Sequence, residues 1–78
     1  MLNDLVTDTL KYEVDQFDKV LVQFSAGWCG NCRIMKPKFK KMANDNSNMR
    51  FYMIDAEKNP VSRNLAKVDN LPTFAFFK

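Results

Sequence analysis

The chain contains only two cysteines, Cys29 and Cys32, and they lie together in the segment WCGNCR. A cysteine pair at this spacing can be half of a metal site, a structural disulfide or a redox-active dithiol. A structural zinc site needs Cys or His ligands at every corner of a tetrahedron. The chain has no histidine, so one copy offers only these two ligands and zinc would have to be shared between chains. We therefore expect no metal site within one chain.

A redox dithiol fits the surroundings of the pair better. Cys29 lies where a predicted strand ends and a predicted helix begins, and the N–H groups and positive dipole of a helix start favour a thiolate. The thiolate is the form that attacks disulfides. Cys32, one turn further, should be the more buried thiol and can attack a mixed disulfide to release the substrate. Gly30 keeps the approach open, and Asn31 leaves the helix start intact.

Length and composition limit the other possibilities. The 78 residues predict a single domain over 1–78, and the net charge of +3 is spread too evenly to indicate a nucleic-acid interface. No apolar run approaches the ~20 residues of a membrane span, so no membrane contact is expected. The start MLNDLVTDTL lacks a basic region and reaches Asp4 before any apolar core, unlike a secretory signal. These features predict a cytoplasmic protein, and structural disulfides are rare in that compartment.

The first half of the chain alternates helix and strand patterns. Helical spacing of apolar residues predicts a helix over roughly residues 7–18, on Val6, Leu10, Val14 and Phe17. The run KVLVQFSA predicts a strand over about residues 20–25 that is buried on both faces. A second helix should extend from Cys29 to about Ala43, with Cys32, Met35, Phe39 and Met42 on its inner face. Pro37 lies inside this helix and should kink it.

The second half continues the alternation. MRFYMID predicts a strand, and a helix follows with Asn59 as its cap and Pro60 in its first position. The inner face of that helix is predicted to be Val61, Leu65 and Val68. The last segment, LPTFAFFK, predicts a strand with Phe74 and Phe76 on one face and Ala75 and Phe77 on the other. This order predicts an α/β sheet with helices on both faces, in which KVLVQF and RFYMID pair in parallel.

Several motifs, in their order and spacing, resemble the thioredoxin family. They are VLVQF, WCGNC, Pro37, IDAEKNP at 54–60 and LPTFAFFK at 71–78, so the resemblance covers residues 20–78. It implies a thioredoxin-like α/β fold, with a central mixed sheet flanked by helices. It also implies a protein-disulfide reductase that needs no cofactor beyond its own redox-active disulfide. The family's partners would be protein disulfide substrates and a reductase that draws electrons from NADPH.

The resemblance also assigns residues to roles. It makes Cys29 the nucleophile and Cys32 the resolving cysteine, with Pro72 facing them after a cis peptide bond. The backbone of Leu71 would pair with an extended substrate segment by strand addition. The substrate-binding set is therefore Trp28, Gly30, Asn31, Leu71 and Pro72. The supporting residues are Gln23, Pro37, which shapes the helix, and Asp55, which either meets the indole of Trp28 or only holds a turn.

The chain departs from the family in three places. Asn31 replaces the proline that is common between the two cysteines, which affects the redox potential. Gln23 replaces a buried aspartate and Phe51 its buried lysine partner; a lone buried charge is costly, so losing one favours losing the other. Because an amide cannot take a proton near neutral pH, water or Cys29 would have to deprotonate Cys32. The family also continues past FAFFK with a strand and a helix, which this chain lacks.

These observations predict a thiol–disulfide oxidoreductase that reduces protein disulfides. Two alternatives remain open at this point. The chain could be a thioredoxin-fold binding module or assembly subunit with weak redox turnover, which Gln23 and the early end favour, whereas the intact WCGNC favours the enzyme. It could also be a glutaredoxin-like enzyme that uses glutathione, although the Trp-Cys-Gly start is less typical of that class. Since Thr73–Lys78 should be an uncovered edge strand, self-association through it is a further expectation.

Overall fold

Four strands and three helices make up the structure, a computed structural model that describes residues 1–78. In chain order they are β1 (Leu2–Leu5), α1 (Leu10–Gln16), β2 (Val20–Ser25), α2 (Gly30–Asp45), β3 (Arg50–Asp55), α3 (Pro60–Arg63) and β4 (Thr73–Phe77). The predicted alternation is confirmed from α1 onward, and one additional strand, β1, precedes it. None of the helices is long and apolar enough to cross a membrane.

The strands form one mixed sheet in the order β1-β3-β2-β4. β1 and β2 both pair in parallel with β3, whereas β4 pairs antiparallel with β2. The predicted parallel pairing of KVLVQF with RFYMID is thereby confirmed. β2 is interior to the sheet and Val20, Val22, Gln23 and Phe24 on it are all fully buried, which explains its nearly continuous apolar run.

The N-terminal segment differs from the prediction. Residues 2–5 form a strand against β3, and α1 begins only at Leu10. Val6 is 85% exposed and Phe17 lies just past the end of α1, so the predicted helix over 7–18 is wrong at both ends. β1 reads LNDL, in which two polar residues interrupt the apolar ones, so it carries no clear strand pattern and depends on its pairing with β3.

Each face of the sheet has its own hydrophobic cluster. On the α1 side, Leu10 packs with the inward side chains of β2 and β3 and with Val68. On the α2 side, Phe39 and Ala43 pack against Phe51, and the Phe39 and Phe51 ring centroids lie 5.5 Å apart. The prediction that helices flank both faces is confirmed.

Helix α2 begins at Gly30 with Cys29 as its N-cap and continues past Pro37 to Asp45, two residues beyond the predicted end at Ala43. The kink at Pro37 stays a prediction. The buried positions of α2 are Cys32, Phe39 and Ala43, whereas Met42, predicted on the inner face, is 46% exposed. The inner face is therefore rotated slightly from the one that the apolar spacing indicates.

Helix α3 is only one turn long and is capped by a distant residue. The Asn59 side chain makes no cap hydrogen bond and instead donates to the Asp55 carbonyl at 2.8 Å. The Asp8 carboxylate accepts from the backbone N–H groups of Val61 at 3.0 Å and Ser62 at 2.7 Å. Pro60 does occupy the helix start, as predicted.

The predicted inner face of this segment is only partly correct. Val61 is 67% exposed, in contrast to the prediction. Leu65 and Val68 do pack into the core, but they follow the helix rather than belong to it.

A polar contact at the other end of the sheet ties α1 to β3. The hydroxyl of Tyr52 donates to Glu13 Oε1 at 2.6 Å, and Arg50 Nε donates to the Tyr52 oxygen at 3.2 Å. Burial and the Glu13 carboxylate raise the pKa of Tyr52 above its ordinary value. The Arg50 guanidinium also lies 4.6 Å from the centre of the exposed Phe17 ring, within the range of a cation–π contact.

Candidate active site

Cys29 and Cys32 form a disulfide at the point where β2 gives way to α2. The turn after β2 is closed by a hydrogen bond from the Cys29 N–H to the Ala26 carbonyl at 3.2 Å. This turn places Cys29 immediately before the first residue of α2, and Cys32 one helical turn inside it. Their Cα atoms are 5.2 Å apart, within the usual range for a disulfide.

The sulfur of Cys29 occupies the capping position of α2. It accepts a hydrogen bond from the backbone N–H of Cys32 at 3.1 Å. When the disulfide is reduced, that donor and the positive end of the helix both stabilise negative charge on the Cys29 sulfur. The two residues are 5% and 4% exposed in the disulfide form, so the predicted difference in exposure is not present in this state. The asymmetry between the thiols lies in the capping contact.

A second loop approaches the disulfide from the start of β4. The peptide bond between Leu71 and Pro72 is cis, as predicted. Leu71 packs against the small cluster of Ala26, Cys29 and Cys32. The Thr73 hydroxyl donates to the Asn70 carbonyl and holds the loop closed on its other side. Leu71, whose backbone is predicted to pair with a substrate, thus lies beside the predicted redox pair, and the prediction that Pro72 faces that pair stays a prediction.

Trp28 stands exposed next to the disulfide, but its partner differs from the prediction. The indole is 68% exposed and its Nε1 donates to Glu57 Oε2 at 2.8 Å. Asp55, the predicted partner, instead accepts from the backbone N–H groups of Glu57 at 2.8 Å and Lys58 at 3.0 Å. Asp55 is therefore the turn residue of the alternative interpretation. By fixing this turn, it positions the glutamate that holds the indole.

Two clefts flank the disulfide and carry opposite charge. One, of about 310 Å³, is lined by Trp28, Glu57, Arg63, Asp69, Asn70 and Leu71. It contains two carboxylates, Glu57 and Asp69, against one basic group, Arg63, so its net charge is negative. The other cleft, of about 220 Å³, lies beside Cys32 and includes Arg33 and Lys36.

The surface between the two clefts is open at the helix start. Gly30 is exposed, and a Cβ atom added there would meet nothing within 4 Å. Asn31 is exposed as well. The open space at Gly30 is consistent with the prediction that this residue keeps the approach to the disulfide open.

Comparisons with known proteins show which family has this arrangement. The profile of the Thioredoxin family matches residues 2–78. The chain belongs to the thioredoxin family. Over 65 residues it is 37% identical to the thioredoxin of Geodia cydonium, covering 82% of this chain and 61% of that protein. Over 59 residues it is 39% identical to human thioredoxin, covering 76% of this chain and 56% of that one.

A solved structure of the family has the same fold. Mitochondrial thioredoxin 3 from Saccharomyces cerevisiae, in its oxidised form, superposes with a TM-score of 0.87 at 28% identity. The match covers 99% of this chain and 74% of that one. The chain thus spans less than two thirds of the length of the two curated thioredoxins above, and about three quarters of this solved one.

Within this thioredoxin fold, Gln23 lies directly behind Cys32. It is fully buried in β2, and its Nε2 donates to the Cys32 carbonyl at 3.3 Å. Its other amide atom, Oε1, has no hydrogen-bond donor. Met53 and Phe74 are its partners on the adjacent strands, and Phe51 on the same face is 1% exposed. The two positions at which the sequence departs from the family's charged pair therefore lie in one apolar layer under α2.

Sequence reasoning missed one residue of the site. Glu57 follows Asp55 by two positions in the turn after β3, and its carboxylate holds Trp28. The available signal was the turn itself, because an Asp at the end of a strand commonly accepts the backbone N–H two residues ahead and so forms a turn that includes that residue. No group of three or more His, Cys, Asp or Glu side chains converges anywhere in the structure.

Proposed function

We propose that this chain is a thiol–disulfide oxidoreductase that reduces disulfides in other proteins through Cys29 and Cys32. The observation that carries the proposal is the capping contact, in which the Cys29 sulfur accepts the Cys32 N–H at 3.1 Å. A sulfur in that position is stabilised as a thiolate. Cys32, which must form the intramolecular disulfide in the second step, is bonded to Cys29 in this structure. Family membership supports the same chemistry.

The reaction consists of two thiol–disulfide exchanges. The Cys29 thiolate attacks one sulfur of the client disulfide, forms a mixed disulfide, and expels the other client sulfur as a thiolate. The Cys32 sulfur, once deprotonated, attacks Cys29 Sγ and expels the second client sulfur. The client gains two electrons and, with solvent protons, ends as two thiols. The chain ends as the Cys29–Cys32 disulfide described above.

Substrate recognition is proposed to use the surface around Trp28 and the loop before β4. An extended client segment would align with the backbone of Leu71, next to Pro72, and place its disulfide over Cys29. Trp28 would offer an apolar surface on one side, since its ring is exposed and fixed by Glu57. Open space above Gly30 and Asn31 supports an approach from that direction.

We propose a cytoplasmic location and an NADPH-dependent reductase as electron donor. A dithiol that is to reduce clients repeatedly must itself be kept reduced, which the cytoplasm favours. The donor would deliver two electrons to the Cys29–Cys32 disulfide by the same exchange chemistry. Oxidation of NADPH by a thioredoxin reductase, dependent on added oxidised chain, would support this donor. A cysteine pair that only glutathione reduces would point to the glutaredoxin-like alternative.

The decisive experiment is reduction of insulin in the presence of dithiothreitol, followed by turbidity. The 78-residue chain should accelerate the precipitation of insulin B chains, and Cys29→Ser should remove the acceleration. The matched control is Val61→Ser, which changes an exposed residue on α3. A folded chain with an intact disulfide and no effect on insulin would favour the binding-module alternative.

We further propose that the chain self-associates through β4, with a second copy as the occupant. β4 pairs only with β2, so its other edge is free to accept another strand. On the α2 side, Phe74 is 41% and Phe76 52% exposed. Phe74 also lines an apolar groove of about 330 Å³ with Leu21, Met35, Lys38, Phe39 and Met42. Two copies related by a two-fold axis would pair their β4 strands antiparallel and cover both rings.

A further inference from the structure

The amide of Gln23 has one satisfied and one unsatisfied end. Its nitrogen donates to the Cys32 carbonyl, which fixes the orientation of the group beside the resolving cysteine. Its oxygen is buried and finds no donor among the protein groups. A buried carbonyl oxygen without a donor is energetically costly, and such atoms are rare in native proteins. The orphaned oxygen therefore requires an explanation.

The redox state of Cys32 supplies one. In the disulfide, the Cys32 sulfur is bonded to Cys29 and carries no proton. In the dithiol, Cys32 carries an S–H group, which is a hydrogen-bond donor. The apolar layer formed by Phe39, Phe51 and Met53 offers no competing donor side chain. Reduction therefore adds a donor, the thiol of Cys32, on the residue that this amide already contacts.

We propose that Gln23 Oε1 accepts the S–H of reduced Cys32, and that Gln23 thereby tunes the redox equilibrium of the pair. Reduction breaks the S–S bond and adds two electrons and two protons, while two glutathione thiols are oxidised to glutathione disulfide. The amide oxygen is unsatisfied only on the disulfide side of this equilibrium. Gln23 thus shifts the pair toward the dithiol and makes its disulfide a stronger oxidant. Gln23 acts here as a positioning residue, because it takes no part in the exchange itself.

This role differs from that of a proton acceptor. An amide accepts a hydrogen bond but does not remove the proton, so it holds Cys32 in its thiol form. The inference rests on the redox cycle of the proposed function, but it makes no use of a protein client. It can therefore hold for a chain that fails to reduce insulin, and it can fail for one that succeeds.

The first test is equilibration with glutathione buffers of defined ratio, read by quantifying the free thiols. Gln23→Leu removes the orphaned oxygen and the acceptor together. The variant should favour the disulfide by about tenfold in the equilibrium constant, which corresponds to about 30 mV for this two-electron couple. The control is Val22→Ala, which disturbs the opposite face of the same strand and should leave the constant unchanged. A change below about twofold in Gln23→Leu, or a shift toward the dithiol, overturns the proposal.

The main reading of the second test is made with Gln23 unchanged, so it stands even if Gln23→Leu folds poorly. In Cys29→Ser the only thiol is Cys32, so the infrared S–H stretch reports on that group alone. We expect the band at lower wavenumber than that of a free cysteine thiol in a non-hydrogen-bonding solvent, as for a donated hydrogen bond. Adding Gln23→Leu should return it to the free position. A band at the free position in Cys29→Ser itself would overturn the proposal.

Discussion

The Asp8 carboxylate accepts the backbone N–H of Ser62 at 2.7 Å and so joins the segment before α1 to helix α3 across most of the chain. Ser62 reciprocates through its hydroxyl, which accepts the N–H of Leu10 at 3.1 Å. Hydrogen bonds from Ser62, that of its side chain foremost, lower the pKa of Asp8 below the ordinary value for a carboxyl. This exchange fixes the one-turn helix and the start of α1 on the same face of the sheet.

The first prediction concerns acid stability. Because the pKa of Asp8 is lowered in the folded chain, its contribution is present above the unfolded pKa and is lost as the pH falls through the folded value. Asp8→Asn should lower the melting temperature at pH 7 and flatten its decline below about pH 4. Asp15→Asn, on the exposed face of α1, is the matched control. If the melting temperatures of both variants decline equally below about pH 4, the prediction is contradicted.

The second prediction concerns which of the two cysteines is the nucleophile. Since the Cys29 sulfur receives the Cys32 N–H, it should carry the thiolate in the reduced chain. Iodoacetamide in limiting amount should therefore modify Cys29 first, as read by peptide mass spectrometry. Cys32→Ser should accumulate mixed disulfides with clients, whereas Cys29→Ser should not. Preferential modification of Cys32 would reverse the assignment.

The third prediction concerns Glu57. Removing its carboxylate in Glu57→Ala should free the Trp28 ring, which is already 68% exposed. Acrylamide quenching of its fluorescence should increase, and the KM for insulin should rise by about threefold to tenfold, because the freed ring must be ordered again when the client binds. Lys58→Ala lies in the same turn and leaves the indole contact intact. If acrylamide quenches the Trp28 fluorescence equally in both variants, the indole is not held by Glu57.

The fourth prediction concerns proton removal from Cys32. With Gln23 in place of a carboxylate, client release should depend on hydroxide or on Cys29 and should accelerate steeply with pH. Gln23→Asp alone would place a carboxylate in the layer of Phe51, where desolvation raises its pKa. The double variant Gln23→Asp with Phe51→Lys should flatten the pH profile of turnover. Unchanged profiles in both variants would mean that the proton leaves by another route.

The fifth prediction concerns self-association, and the structure selects the residue to change. Ala75 packs against the α1-side core, so a charge there would also disturb folding. Phe76 is 52% exposed on the other face, so Phe76→Lys should weaken association while the chain stays folded. Sedimentation velocity across a range of concentrations should show a dimer for the parent chain and a monomer for the variant. Val61→Lys is the control, and a parent that is monomeric at high micromolar concentration would refute the idea.

The sequence predicted those elements correctly whose residue pattern is set by the segment itself. The run VLVQF is apolar on both faces because β2 is interior to the sheet, and the cysteine pair follows it directly. It failed where a structure depends on distant partners. LNDL becomes a strand only by pairing with β3, and the cap of α3 comes from Asp8 rather than from Asn59 beside it. The partner of Trp28 was missed for the same reason, since it depends on how one turn directs a side chain.

The pairing of β2 has a consequence for how the chain opens under thermal fluctuation. β2 is hydrogen-bonded on both edges, to β3 and β4, whereas β1 and β4 each have one neighbour. Local opening starts where the fewest contacts must be broken, so the sheet frays from its outer strands inward. The strand that leads into Cys29 is then among the last to exchange its amide hydrogens. The cysteine turn can thus break and reform its sulfur bond while the backbone behind it stays closed.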